Sequence, residues 1–408
     1  MSKKKEIVPK FRFPEFQRDG IDFVHGNKLF KSITNKNHNS DLPILAITQD
    51  QGAVPRDQIE YNVTVTDKSL SNYKVVEVGD FIISLRSFQG GIEYSRFKGI
   101  CSPAYIILRK REENISELYY KYFFKTWRYI QSLNRNLEGI RDGKMISYSQ
   151  FSSVKVPYPR SFKEQQKIAD CLSSIDELID AENRKLKALE KYKKGLMQKL
   201  FPAEGKTLPE WRFPEFQGCG EWKFKSIGKA CKMFSGGTPD TSKKEFYGGT
   251  IPFIRSAEIN KSSTELFITE EGFKNSSAKM VKKGDILIAL YGANSGEVAL
   301  SKIDGAINQA ILCLRHETNN VFVYHYFTHM KNWIISKYIQ GGQGNLSGQI
   351  IKSVNLYFPK AEEQQKIADF LSEIDTMITG QSNKVEQLKA HKKGLMQGLF
   401  PSFEEVDV

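Results

Sequence analysis

Residues 164–170 read Glu164-Gln-Gln-Lys-Ile-Ala-Asp170, and the same seven residues return as Glu363-Gln-Gln-Lys-Ile-Ala-Asp369. Each block opens a run with regularly spaced apolar residues. In the first they fall at Ile168, Leu172, Ile175, Ile179, Leu186, Leu189 and Leu196. In the second they fall at Ile367, Leu371, Ile374, Ile378, Val385, Leu388 and Leu395. Steps of four, three, four, seven, three and seven are shared by both runs, a heptad stripe with Lys, Glu, Gln and Asp between its members. Pro159 and Pro359 precede the runs, and Pro202 and Pro401 follow them. Each stripe therefore predicts one helix of roughly 38 residues, about 55–60 Å long at about 1.5 Å per residue. So long a stripe needs an apolar partner, and the other copy matches it in length and phase. Parallel pairing would set the preceding domains side by side. The order domain, helix, domain, helix favours antiparallel pairing, with the two domains at opposite ends of a rod.

Working outward, Arg12-Phe-Pro-Glu-Phe16 returns as Arg212-Phe-Pro-Glu-Phe216, and Lys194-Gly-Leu-Met-Gln198 as Lys393-Gly-Leu-Met-Gln397. Between these blocks lie two stretches of roughly 140 residues that share landmarks but few side chains. Gly79-Asp-Phe-Ile-Ile-Ser-Leu85 matches Gly284-Asp-Ile-Leu-Ile-Ala-Leu290, a turn running into a buried strand. Trp127 and Trp333 sit on matching aromatic-rich helical stretches, and Val154–Pro159 and Val354–Pro359 read as strands feeding the long helices. The expected fold is α/β: two globular domains with mixed sheets, separated by two long antiparallel coiled-coil helices in a pseudo-two-fold internal repeat. The expected boundaries are a first head at 1–160, its helix at 161–201, a linker at 202–217, a second head at 218–359, its helix at 360–400 and a tail at 401–408.

The formal charge of +13 favours a polyanionic partner, most simply nucleic acid. Five cysteines without a Cys-x-x-Cys pair argue against a disulfide framework and a zinc site, and suit a reducing cytoplasm. The basic N-terminal residues do not read as a signal peptide, and the longest apolar runs, such as Phe81–Leu85, are too short to span a bilayer. A soluble cytoplasmic protein with no membrane contact is expected.

The catalytic signals fail on inspection. Gly139-Ile-Arg-Asp-Gly143-Lys144 has three residues between its glycines where a phosphate loop has four, and Met145 stands where a magnesium-binding hydroxyl is needed. Ser102-Pro-Ala-Tyr105 resembles the loop with which amino-methyltransferases hold a flipped adenine, but its second proline is missing and Phe88-Gln-Gly-Gly91 has the wrong spacing for a cofactor loop. Pro239-Asp240 has no suitably spaced acidic-x-Lys partner for nuclease chemistry. His325 and His329 are spaced i, i+4, with no third metal ligand in evidence, and read as packing or surface residues. No catalytic residue, metal site or cofactor site is expected in the chain.

What the domains do offer is polar and basic loop chemistry. The candidate DNA-contacting residues are Arg86, Ser87, Gln89, Arg96, Arg141, Lys144 and Tyr148 in the first head. In the second they are Ser235, Thr238, Arg255, Tyr291, Asn294, Ser295, Asn308, Gln309, Gln343, Asn345 and Ser347. Arg, Asn and Gln pair bidentately with base edges, glycines let backbone amides approach phosphates, and Ser, Thr and Lys hold the nucleic-acid backbone.

These residues resemble the specificity subunit of a type I restriction–modification system. The resemblance rests on the two Glu-Gln-Gln-Lys-Ile-Ala-Asp blocks and on Leu172-Ser-Ser-Ile-Asp176 and Leu371-Ser-Glu-Ile-Asp375 after them. Ser235-Gly-Gly-Thr-Pro239, Gly249-Thr-Ile-Pro-Phe253 and Lys283-Gly-Asp-Ile-Leu287 are similar to a pattern of the family's target-recognition domains; the first head lacks the Ser-Gly-x-Thr-Pro element. The resemblance implies a non-catalytic subunit whose two heads each read half of a bipartite, asymmetric target in double-stranded DNA, the helices fixing the spacer. It implies two modification subunits that bring S-adenosylmethionine and methylate adenine N6, and two restriction subunits that bring ATP- and magnesium-dependent translocation and cleavage. A stand-alone methyltransferase or nuclease with unrecognised motifs is the alternative, and a coiled-coil protein with basic heads for another acidic partner a third.

Overall fold

A computed structural model of the chain describes residues 8–39, 41–59, 70–135, 146–338 and 345–401. The chain divides into two compact units, Met1–Glu182 with Lys384–Val408, and Asn183–Asn383. The division cuts both long helices, so each unit holds one head, the first half of one helix and the last part of the other.

In the first unit, strands β1 (Ile21–His25) and β10 (Lys155–Pro159) pair antiparallel and bracket the head. Between them run β2 (Phe30–Ile33), β3 (Leu45–Thr48), β4 (Gly52–Pro55), β5 (Lys74–Val76), β6 (Phe81–Ile83), β7 (Glu93–Tyr94), β8 (Gly99–Cys101) and β9 (Ile106–Lys110). An antiparallel sheet in the order β2-β9-β6-β7 forms the centre, flanked by the pairs β3-β4 and β5-β8. Phe81, Ile82 and Ile83 are almost wholly buried, which is why this short run is a central strand. Tyr119, Tyr120, Phe123 and Tyr129, from the helices at 117–123 and 127–135, and Phe124 between them pack edge-on or tilted against Phe30, Phe81 and one another.

The second unit repeats this plan. Strands β11 (Lys223–Ser226) and β20 (Asn355–Phe358) bracket the head. Between them lie β12 (Cys231–Ser235), β13 (Tyr247–Ile254), β14 (Phe267–Ile268), β15 (Lys279–Val281), β16 (Ile286–Ala289), β17 (Val298–Leu300), β18 (Gly305–Ile307) and β19 (Ile311–His316). The sheet β12-β19-β16-β17 matches the first head's centre strand for strand. A second sheet, β14-β13-β18-β15, is mixed, with β13 and β18 parallel. In both heads an aspartate at the start of a central strand takes an arginine bidentately: Asp80 with Arg109 at 2.7 and 2.7 Å, Asp285 with Arg315 at 2.8 and 2.6 Å.

The long helices span Phe162–Leu200 and Ala361–Leu399, 39 residues each. All fourteen stripe residues, from Ile168 to Leu196 and from Ile367 to Leu395, are buried or half-buried. Within the first unit, Ile168 and Leu172 share a core with Leu395, Leu399 and Phe400, and Lys392 and Lys384 reach Asp176 and Glu182 at 2.5 Å. Within the second, Leu196, Leu200 and Phe201 share a core with Ile367, Leu371 and Ile374, and Lys193 meets Asp375 at 2.5 Å. In each unit, then, the beginning of one helix lies against the end of the other, which is the antiparallel pairing.

The repeated blocks are copied because they bond to one another. Arg12 donates twice to Glu164, at 2.7 and 2.9 Å, and Arg212 twice to Glu363, at 2.7 and 2.7 Å. Both carboxylates are fully buried. Gln165 Nε2 donates to the Pro159 carbonyl at 2.9 Å and Gln364 Nε2 to that of Pro359 at 3.0 Å, tying each helix start to the strand before it. The backbone N–H of Phe11 donates to the Gly398 carbonyl at 2.8 Å, and that of Trp211 to Lys199 at 2.9 Å. The helix ends supply a further anchor that the heptad pattern does not mark. Phe201 stacks on Tyr326 at 4.4 Å in the second head, and Phe400 meets Tyr119 at 5.1 Å in the first.

Candidate nucleic-acid interface

The ladder geometry of each central sheet gathers loops at one end. In the second head Ser235 pairs with Leu312 and Ala289 with Ile311, so the ends of β12 and β16 lie beside the start of β19. The parallel match of Ile254 with Ile307 brings Arg255 and Asn308 to the same end. Ser235, Thr238, Arg255, Tyr291, Asn294, Ser295, Asn308 and Gln309 thus converge from four loops. Thr238 Oγ1 donates to Gln309 Oε1 at 2.7 Å, joining two of them.

Within that cluster the side chains divide. Thr238, Tyr291 and Gln309 are exposed, as is Asn345, while Asn294 and Asn308 are half-buried. Others are used up in holding the loops. Ser295 Oγ donates to the Leu290 carbonyl at 2.9 Å, and Ser347 Oγ accepts from the Ile350 N–H at 3.2 Å, capping the helix at 348–353. Arg255 meets Glu258 at 3.0 and 3.1 Å and Glu265 at 2.7 Å; the two carboxylates raise its pKa, so it stays charged, and balance that charge. Burial would push the Glu258 carboxyl up, but bonds from Arg255, two backbone N–H groups and Thr264 outweigh it and hold the group down at about 2. Arg255 therefore sits at the cluster as part of an internal ion network. The glycines of Ser235–Pro239 also serve the fold: a Cβ on Gly236 would stand 1.7 Å from the Ile307 carbonyl oxygen, so only glycine lets this turn lie against β18.

The first head builds the same end from the segments after β2 and β6 and before β9, since Ile33 pairs with Ile107 and Ile83 with Ile106. Arg86 and Gln89 are exposed there. Gln49, at the β3-β4 turn, joins them by donating to the Arg86 carbonyl at 3.4 Å, a neighbour that no periodicity marks. Three expected residues go elsewhere. Ser87 is buried, its Oγ accepting from the Ser84 N–H at 2.9 Å, and closes its own turn. Tyr148 donates to the Phe30 carbonyl at 3.0 Å and stacks on Phe151 at 6.1 Å, a core position. Arg96 follows β7, whose pairing of Tyr94 with Phe81 carries it to the opposite end of the sheet, into a cleft with Lys121 and Asp176. Burial first, then Arg96, brings Lys121 down to about 8. Arg141, Lys144 and Gln343 lie outside the described residues.

His325 and His329 face the second head's interior. Burial first, and then Lys193, push His325 down to about 3, and His329 lies flat on Phe201 at 5.6 Å. Among the described residues no group of three or more His, Cys, Asp or Glu is placed to hold a metal ion, and no helix is long and apolar enough to cross a membrane.

Known proteins share this plan. The chain belongs to the family of the type I restriction modification DNA specificity domain, which matches it twice, at residues 19–191 and 220–390. It is 23% identical over 356 residues to the MjaVIII type I restriction enzyme specificity subunit of Methanocaldococcus jannaschii, covering 83% of this chain and 81% of that one. It is 30% identical over 169 residues to the EcoR124I/EcoR124II specificity subunit of Escherichia coli, covering 39% and 42%. The crystal structure of the type I S subunit from M. genitalium superposes over 97% of this chain and 100% of its own, with a TM-score of 0.60 at 16% identity, a likeness of fold. The chain is accordingly a type I specificity subunit with two target-recognition domains, a recognition subunit and not an enzyme.

Proposed function

We propose that each head reads one half of a bipartite, asymmetric duplex target through the loops at the end of its central sheet, and that partner subunits do the chemistry. The carrying observation is the gathering of Thr238, Tyr291, Asn294, Asn308 and Gln309 at one sheet end, with Arg86, Gln89 and Gln49 at the matching end of the first head. Amides and a guanidinium match base edges, and a net charge of +13 favours a polyanion. In this reading two modification subunits bring S-adenosylmethionine for adenine N6 methylation, and two restriction subunits bring ATP and magnesium. The stripe helices set the spacer between half-sites.

The test is a domain exchange. Replacing residues 218–359 by another family member's second head, in cells that carry the modification partner, is expected to change one half of the methylated sequence and leave the other. A change in both halves would refute the two-head reading. Purified chain with DNA and magnesium or S-adenosylmethionine is expected to give neither cleavage nor methyl transfer.

A further inference from the structure

The turn Ser235–Pro239 has no visible counterpart in the first head's sequence, yet the fold supplies one. The short helices Gly26–Leu29 and Ile227–Ala230 run without a gap into β2 and β12, which hold the same place in their sheets. Counting from those strands, Thr34-Asn-Lys-Asn-His-Asn39 stands where Ser235-Gly-Gly-Thr-Pro-Asp240 stands. The neighbouring loops confirm the match. Ser102 Oγ accepts from the Ala104 N–H at 3.3 Å as Asn308 Oδ1 accepts from the Ala310 N–H at 3.1 Å.

The segment is held from behind and open in front. Asn35 Oδ1 accepts from the Asn37 N–H at 2.9 Å, the Asn35 carbonyl accepts from the Val75 N–H at 2.8 Å, and His38 Nε2 lies 3.1 Å from the Tyr73 carbonyl. Lys36, Asn37 and Asn39 remain exposed. They border an open cleft of about 680 Å³ that is also lined by Asp41 and by Lys98 and Glu77, paired to each other at 3.1 Å. Thr238, the residue that Asn37 replaces, is itself exposed at the gathered sheet end.

We propose that Lys36, Asn37 and Asn39 are specificity-determining residues of the first head, the asparagines reading base edges and Lys36 holding a phosphate beside them. A carboxamide offers donor and acceptor in one plane, the pattern a purine edge requires, and a fixed turn lowers the cost of ordering it. The inference rests on the DNA-reading function proposed above.

The test maps methylated adenines in cells carrying this chain with its modification partner. Asn37→Ala is expected to relax the preference at one base pair of the first half-site by about 10- to 100-fold and leave the second half-site intact. Lys36→Ala is expected to lower methylation at all sites alike, with a deficit in vitro that grows with salt. A bipartite wild-type target with unchanged preferences in both Asn37→Ala and Asn39→Ala would overturn the inference and leave the two-head reading standing. Should Asn37→Ala abolish methylation, the purified complex is offered duplexes with a randomised first half-site. Binding with lost preference there supports the proposal, and wild-type preference or no assembly with the partner overturns it.

Discussion

At the scale of single residues, the strongest constraint is the buried pair of Arg12 and Glu164 and its copy, Arg212 and Glu363. Removing one member strands a charge, so Arg12→Ala is expected to cost about 3–5 kcal/mol in urea unfolding. The double variant with Glu164→Ala should cost less than the sum of the two single ones. Glu258 gives a second measurable effect. Its folded pKa, about 2, lies below the ordinary carboxylate value, so its stabilisation is fully present above that ordinary value and is lost as pH falls toward 2. Glu258→Gln should therefore weaken the protein at pH 7 more than at pH 3 in thermal unfolding, by no more than about 3 kcal/mol. For recognition, Gln309→Ala should cost about 1–3 kcal/mol of discrimination at one base pair of the second half-site, measured by competition binding of the assembled complex.

At the scale of elements, the helices were legible because a heptad period survives in any sequence that must keep one face dry. The docking ends were not, because Phe201 and Phe400 pack on the head aromatics Tyr326 and Tyr119, and a single aromatic carries no period. Phe201→Ala is expected to cost about 3–5 kcal/mol. The interface was half legible. Polar loops could be listed from composition, but Ser87, Ser295 and Ser347 use the same hydroxyl for turns and caps that would otherwise bind a backbone. Arg96 lies at the far end of its sheet because strand register decides the end a loop occupies, and Tyr148, at a helix start, turns inward to bond the Phe30 carbonyl; neither shows in the sequence.

At the scale of the whole molecule, each unit draws on both helices, so damage to one end of the chain has a defined address. A chain stopped after residue 383 loses Leu395, Leu399 and Phe400 from the first unit's core and nothing from the second's. Hydrogen exchange is expected to show lost protection across residues 8–182 and retained protection across the second head. Equal loss in both would contradict the division.

The two backbone bonds described at the helix ends carry one more consequence. From Lys199 to Trp211 the bond closes a turn of continuous chain, whereas from Gly398 to Phe11 the same bond joins residues from far apart in the sequence. The seam in one unit is the stitch in the other. A half-length gene encoding one head and one helix would therefore carry every complementary surface that a second copy of itself requires. Two such products could pair through these surfaces, each carrying the same reader. Fusing two copies in one reading frame frees the readers to differ, and an asymmetric target becomes possible.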